Sequence, residues 1–307
     1  MTEDKHFKKQ VTPAPTQEPV LIMIKATLGM GSLEPLFERL VPTDPHINVL
    51  DLGITRGDGI FESIGVINGT ALELEPHLTR LCHSAIMLNL PELNLDAIRA
   101  AVLAAIDAHT PVPELLVKVF VTRGIEGTNV PSAWIYATQT PDYYLERTEG
   151  IRTITLDRGY RHDVTLTSPW LLQGAKTLSY AVNLAALREA KRRGASDAIF
   201  LSSDGFALEG STSSLIIRND TGFHTPRLDL GVLAGTTQAA VFRVLESAGF
   251  TTQYSLITSI ELREAINIWL VSSGRLVVPV NNLDGVDIRV DRELTAQVLR
   301  NITGESL

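Results

Sequence analysis

Gly174-Ala175-Lys176-Thr177-Leu178-Ser179-Tyr180 lies at the centre of a stretch, Val164 to Leu187, in which Lys176 is the only charged residue. The residues leading into it, Pro169-Trp170-Leu171-Leu172-Gln173, are apolar or uncharged. Taking an unpaired ammonium out of water is costly, so such a lysine gives up its proton, finds an anion, or is consumed in a covalent bond. A lysine with a lowered pKa is the amine that condenses with carbonyl compounds. Two plainer alternatives stand beside that reading: the side chain snorkels to the surface, or it enters an internal ion pair. After residue 150 only Lys176 and Lys191 occur, and Lys191 belongs to the polar run Arg188-Glu189-Ala190-Lys191-Arg192-Arg193, a solvated helix end.

The surrounding chain bounds the answer. Its 307 residues, 44% apolar and 20% charged, are long enough for one large or two medium soluble domains. A net charge of −8 argues against nucleic acid as the main partner, because phosphate backbones need a basic surface. Cys82 is the single cysteine, so no internal disulfide forms and a reducing compartment fits. Residues 1–18 are charged and proline-containing without an apolar core, which predicts a disordered tail rather than a signal peptide. Val20-Leu21-Ile22-Met23-Ile24 is too short to span a membrane. The expectation is a soluble cytoplasmic protein with no membrane contact.

Periodicity places the elements. Asn48 to Gly69 reads as strand, turn, strand, with Gly57-Asp58-Gly59 before Ile60–Val66 and an Asn68-Gly69 hairpin turn. Leu78, Leu81, Ala85 and Leu88 share one helical face, leaving His77, Arg80 and Ser84 on another. A second helix, capped by Asn94, runs to about His109. Strands follow near Leu115–Arg123 and Ala133–Thr138, then a linker over 139–149. The second half opens with a strand near Ile151–Leu156. A helix begins just after Lys176 and ends in cations followed by Gly194. Ala198–Ser202 and Phe206–Glu209 form a hairpin about Asp204-Gly205. A strand at Ser214–Arg218 and a helix from about Thr237 complete the pattern.

Several residue groups suit an anionic, carbonyl-bearing ligand. Gly235-Thr236-Thr237 opens a helix, where free N–H groups and hydroxyls hold an anion, although a plain N-cap reads the same way. Glu209 ends a hairpin strand before Gly210-Ser211-Thr212-Ser213-Ser214 and could pair with a protonated ring nitrogen, or simply be exposed. Arg80 could reach a phosphate or be solvated. Ser272-Ser273-Gly274 offers another hydroxyl and amide cluster.

Taken in order, these motifs resemble the fold-type IV enzymes that depend on pyridoxal phosphate. That family includes branched-chain and D-amino acid aminotransferases and aminodeoxychorismate lyase. The similarity runs through Gly174-Ala175-Lys176, Asp204-Gly205-Phe206-Ala207-Leu208-Glu209-Gly210 and Gly231-Val232-Leu233-Ala234-Gly235-Thr236-Thr237. In the first half it covers Gly57-Asp58-Gly59-Ile60-Phe61-Glu62 and Pro76-His77-Leu78-Thr79-Arg80-Leu81. It implies a mixed α/β (α+β) chain: a small N-terminal α/β domain over 19–138 and a larger, pseudo-barrel, cofactor-binding domain over 150–307. It also implies pyridoxal 5'-phosphate as cofactor and a homodimer whose site is completed across a two-fold interface. Lys176 would hold the cofactor aldehyde and Glu209 its pyridine nitrogen. Arg80, Thr212, Thr236, Thr237 and Ser273 would surround the phosphate, with Gly235 also binding the cofactor, Leu233 near the ring and Tyr180 beside the Schiff base. Arg56 and Arg123 are the candidates for the substrate carboxylate.

Other chemistries fit worse. There is no Gly-x-Ser-x-Gly elbow for a serine hydrolase and no His-Glu-x-x-His for a metal, so none is expected. Ser179, Ser214 and Gln238 stand where branched-chain aminotransferases differ, and Phe61-Glu62-Ser63 with Glu209-Gly210-Ser211-Thr212-Ser213 looks more lyase-like. The expectation is 4-amino-4-deoxychorismate lyase, with an amino acid aminotransferase as the alternative and a non-catalytic pyridoxal phosphate-binding protein as a remote one.

Overall fold

Alternating burial builds the first sheet. In chain order its strands are β1 (Val20–Ile24), β2 (Phe37–Leu40), β3 (Gly59–Ile67), β4 (Thr70–Ala71), β5 (Glu114–Thr122) and β6 (Ser132–Gln139). They pair in the order β2-β1-β6-β5-β3-β4, every pair antiparallel. The structure is a computed structural model and describes residues 17–25, 27 and 35–304. Of the tail expected over 1–18, residues 1–16 lie outside that set.

Three helices belong to this half: α1 (Leu52–Arg56), α2 (Leu74–Met87) and α3 (Leu95–Ala108). Ile60, Glu62 and Ile64 of β3 and Val117, Val119 and Val121 of β5 form the buried face, with α2 against β3 and α3 against β5. Leu78, Leu81 and Ala85 of α2 and Leu88 at its C-cap join that core, and full burial of each leucine stabilises by roughly 1.5–3 kcal/mol. The second face of α2 is buried as well, at His77, Arg80 and Ser84. Because side chains alternate along a strand, Phe61, Ser63, Leu116, Lys118 and Phe120 point the other way, into a cavity.

Asn94 caps α3 as expected, accepting from Ala97 N–H at 3.1 Å. The strand expected from Asn48 is instead the short helix α1. Its start is fixed by Asp51, whose carboxylate accepts from Gly53 N–H (2.8 Å) and from the Thr122 hydroxyl (2.9 Å). Its end is Gly57 at φ 68°, a left-handed conformation that glycine adopts without strain.

The second sheet comprises β7 (Ile151–Asp157), β8 (Asp197–Leu201), β9 (Ala207–Gly210), β10 (Ser214–Asn219), β11 (Gly222–Pro226), β12 (Thr252–Ser255), β13 (Asn267–Ser272), β14 (Leu276–Leu283) and β15 (Val286–Asp287). Its order is β12-β11-β10-β13-β14-β7-β8-β9, with β15 beside β14. Strand β9 also touches β10 and β11, so the sheet curls back on itself. The helices of this half are α4 (Tyr144–Glu149), α5 (Val164–Thr167), α6 (Ala181–Arg192), α7 (Thr236–Ser247), α8 (Ser259–Arg263) and α9 (Arg292–Thr303). Helices α7 and α9 cover a core of Phe223, Val241, Leu245, Trp269 and Val298.

The chain passes from one sheet to the other over residues 140–150, and α4 fills most of that stretch. From α4, Arg147 binds Glu114 of β5 (2.5 and 2.7 Å) and the Arg275 carbonyl (2.9 Å) beside β14. One cation thus ties both halves.

Candidate active site

The loop before α6 is laid against the start of β3. Phe61 N–H donates to the Lys176 carbonyl (3.0 Å), Leu178 N–H to the Gly59 carbonyl (2.8 Å), and Lys176 N–H to Ser84 Oγ (3.1 Å). These bonds fix the lysine backbone, and its Nζ lies 4.4 Å from the Phe61 ring centroid. Burial brings the pKa of the Lys176 ammonium down to about 8, helped by Arg80 and opposed by Glu62 and Glu209. An amine with that pKa is partly neutral at physiological pH and nucleophilic. Tyr180 stands edge-on to Phe61, ring centroids 5.3 Å apart. Burial and the nearby Glu209 and Asp197 push its phenol up to about 12, so it is a hydrogen-bond donor there.

Glu209, next to last in β9, lines the same cavity. Burial raises its pKa, while the Leu233 N–H and the charges of Arg158, Lys176 and Arg80 work in the opposite direction. Leu233 N–H donates to Oε2 at 3.0 Å, and among the described residues no protein donor takes the second oxygen.

A cradle of hydroxyls forms at the start of α7, in the same cavity. Thr236 and Thr237 are buried in the first turn, where the backbone N–H groups have no helical acceptor. Thr237 Oγ1 lies 3.3 Å from Ser273 Oγ. Gly235 precedes them at a close approach, since a Cβ there would collide with Ser214 Oγ. Arg80 reaches this cradle from α2. Its guanidinium donates to Glu62 through Nε (2.7 Å) and Nη2 (2.6 Å), and through Nη1 to the Ala234 carbonyl (2.8 Å). The bidentate Arg80 and the His77 contact hold Glu62 down to about 2, overcoming the effect of burial.

Lys176, Tyr180, Arg80, Glu209, Thr212, Leu233, Gly235, Thr236, Thr237 and Ser273 therefore line one cavity of about 780 Å³. Arg56 and Arg123 do not line it. Arg56 is exposed at the end of α1. Arg123 is held by Asp58 (2.6 Å) and donates to the Leu88 carbonyl (2.7 Å) at the end of α2.

Five cavity or near-cavity groups are not apparent from the sequence. Glu62 and His77 lie behind the cradle, and Arg158, Lys118 and Arg275 line the cavity itself. A charge inside an apolar strand was the available signal for Glu62 and Lys118. Arg158 and Arg275 gave none, because they are brought in by the curl of the second sheet. Arg275 binds Asp197 and lies 3.7 Å from Glu146. Arg158 donates to the Tyr160 hydroxyl at 3.2 Å and stacks 4.4 Å over the Phe200 ring.

A pyridine ring carrying an aldehyde and a phosphate needs an amine, an anion cradle and a carboxylate for the ring nitrogen. Lys176, the α7 cradle with Ser273, and Glu209 supply these in one enclosed space. Three buried atoms of the cavity lining, Ser213 Oγ, Arg158 Nη1 and Glu146 Oε2, have no hydrogen-bond partner among the described residues, which suits a ligand rich in polar atoms. The residues fit pyridoxal phosphate.

The amino-transferase class IV family matches residues 59–283. The bifunctional aminodeoxychorismate lyase / D-amino acid transaminase of Mycobacterium tuberculosis is 38% identical over 280 residues, which are 88% of this chain and 96% of that protein. A fold IV transaminase from Curtobacterium pusillum is 47% identical with a TM-score of 0.89, over 94% of this chain and 100% of the other. The PLP-bound form of a hypothetical aminotransferase from M. tuberculosis is 36% identical with a TM-score of 0.84, over 94% and 100%. With Lys176, Glu209 and the α7 cradle meeting in one cavity, the chain belongs to the class IV aminotransferase family of pyridoxal phosphate-dependent enzymes.

Proposed function

We propose that the protein is a 4-amino-4-deoxychorismate lyase that releases 4-aminobenzoate and pyruvate for folate synthesis. The observation that carries this reading is that two cations, Lys118 and Arg275, line the same cavity as the cofactor residues. A dicarboxylate of chorismate size needs room and cations, and a cavity of about 780 Å³ falls in the range that encloses drug-sized ligands.

Bound pyridoxal phosphate supplies an electron sink for the carbon next to the substrate nitrogen. Lys176 would hold the cofactor aldehyde in the absence of a substrate amine. Released from the aldehyde, the Lys176 amine would be the base for the proton on that carbon. Glu209 would keep the pyridine nitrogen protonated, and Arg80 with Thr236, Thr237 and Ser273 would anchor the phosphate. Tyr180 donates a hydrogen bond beside the reacting nitrogen. In the lyase direction Lys176 delivers its proton to the departing ether oxygen, and aromatisation of the ring makes the step downhill.

A second reading, D-amino acid transamination in the same site, is favoured by the bifunctional M. tuberculosis relative and the transaminase neighbour. There Lys176 would be the group that moves the proton, with no leaving oxygen to receive it. Exposed apolar side chains near the cavity mouth, Trp170, Leu171, Val182 and Leu184, support a homodimer that covers them.

Pure enzyme is incubated with aminodeoxychorismate, and separately with D- or L-amino acids plus 2-oxoglutarate or pyruvate. Catalytic release of 4-aminobenzoate without an oxo acid supports the lyase. Amino transfer with no 4-aminobenzoate formed replaces it with the aminotransferase.

A further inference from the structure

Behind the hydroxyl cradle lies a buried pair that does not line the cavity, Glu62 of β3 and His77 of α2. His77 Nδ1 is 2.7 Å from Glu62 Oε2. The bidentate Arg80 keeps Glu62 ionised, and a carboxylate only accepts, so Nδ1 carries the proton and donates it. Arg80 Nη2, 3.4 Å from the same nitrogen, is a weaker neighbour.

The other ring nitrogen meets the cradle directly. His77 Nε2 is 3.1 Å from Thr236 Oγ1 and 3.2 Å from Ser273 Oγ, and Ser273 Oγ is 3.3 Å from Thr237 Oγ1. In a neutral ring Nε2 is a lone pair. It consumes a hydroxyl hydrogen from Thr236 or Ser273, and that hydrogen is then lost to any ligand in the cradle. In an imidazolium Nε2–H donates to a hydroxyl oxygen, and the Thr236, Thr237 and Ser273 hydrogens are all free to turn outward. A phosphate dianion accepts only, so the two protonation states of His77 present it with different numbers of donors.

We propose that filling the cradle with a phosphate dianion draws a proton from solvent onto His77 Nε2. The proton comes from water or buffer and no other bond changes. The groups facing His77 fit this balance. Burial, Arg80 and Lys176 favour the neutral ring against the pull of Glu62, and the positive end of α7 acts in the same direction. Further out, Glu73 before α2 pairs with Arg243 of α7. A dianion placed on the cradle hydroxyls adds negative charge one hydroxyl away from Nε2, which tips the ring to the imidazolium. Since the proton is held more tightly with phosphate bound, the affinity it adds is complete at low pH. It is lost as pH rises through the bound-state pKa.

Calorimetry on the cofactor-free full chain tests this with pyridoxine 5'-phosphate, which has the phosphate but no aldehyde to bond Lys176. At a pH above the second phosphate pKa, titrations in buffers of different ionisation heat give the number of protons taken up. The wild type should take up about one proton more than His77→Gln, whose carboxamide donates to the hydroxyls without titrating. Equal uptake by the two proteins overturns the proposal. Should His77→Gln not fold, ring-nitrogen NMR of labelled wild type decides the same question. An Nε2 signal moving from acceptor to protonated on ligand addition supports the proposal, and an unchanged one overturns it.

Discussion

At the residue scale, the chemistry hangs on charges placed where burial would otherwise remove them. Glu209 is pushed up by burial and held back by a backbone N–H and by cations, so its charge is tuned by several neighbours at once. Glu209→Gln should retain bound cofactor but lose a hundredfold or so in turnover, roughly 2.7 kcal/mol, because an uncharged pyridine nitrogen stabilises carbanionic charge poorly. Unchanged turnover in steady-state assays would reduce Glu209 to a structural role. Lys118 is a cavity cation with no ion-pair partner among the described residues. Lys118→Met should lower the preference for carboxylate-bearing amines over neutral primary amines about tenfold or more, as loss of a charge-assisted bond does. Lys118→Arg should keep the preference. An unaltered ratio of kcat/KM values in Lys118→Met would remove Lys118 from substrate recognition.

The element scale shows what could be read in advance and what could not. Lys176, Glu209 and Gly235-Thr236-Thr237 were legible because each sits at the end of an element with a local signature: an uncharged loop, a hairpin strand, a helix start. Helix α1 is not legible in the sequence, since the bond from the Thr122 hydroxyl to Asp51 joins residues far apart in the chain. Arg80 illustrates the same limit. Its helix face was visible, but its bidentate partner on β3 was not, and that partner changes what a mutation does. Arg80→Ala should weaken cofactor binding and also destabilise the fold by about 3–5 kcal/mol, because Glu62 is left as an unpaired buried charge. Thermal unfolding of the cofactor-free protein measures this, and an unchanged Tm would contradict the Glu62–Arg80 clamp. The clamp also sets an acid limit. The Glu62 carboxyl is lowered to about 2 from its ordinary 4.5. Its stabilisation is therefore complete above 4.5 and fades as pH falls toward 2.

For the whole molecule, two sheets meet across a cavity, and neither half holds a complete site. The first contributes Phe61, Arg80 and Lys118, and the second contributes Lys176, Glu209 and the α7 cradle. The exposed apolar group at the cavity mouth, Trp170, Leu171, Val182 and Leu184, should be covered by a second copy of the chain. Sedimentation should show a dimer, and a fully active monomer would leave that surface unexplained. The most direct test of the site as a whole is borohydride reduction of the protein with its pyridoxal phosphate bound, followed by peptide mapping. A single cofactor adduct is expected, on the peptide carrying Lys176, and Lys176→Ala should yield none. An adduct on Lys118, the other lysine lining the cavity, or one that persists in Lys176→Ala, would contradict the assignment of Lys176.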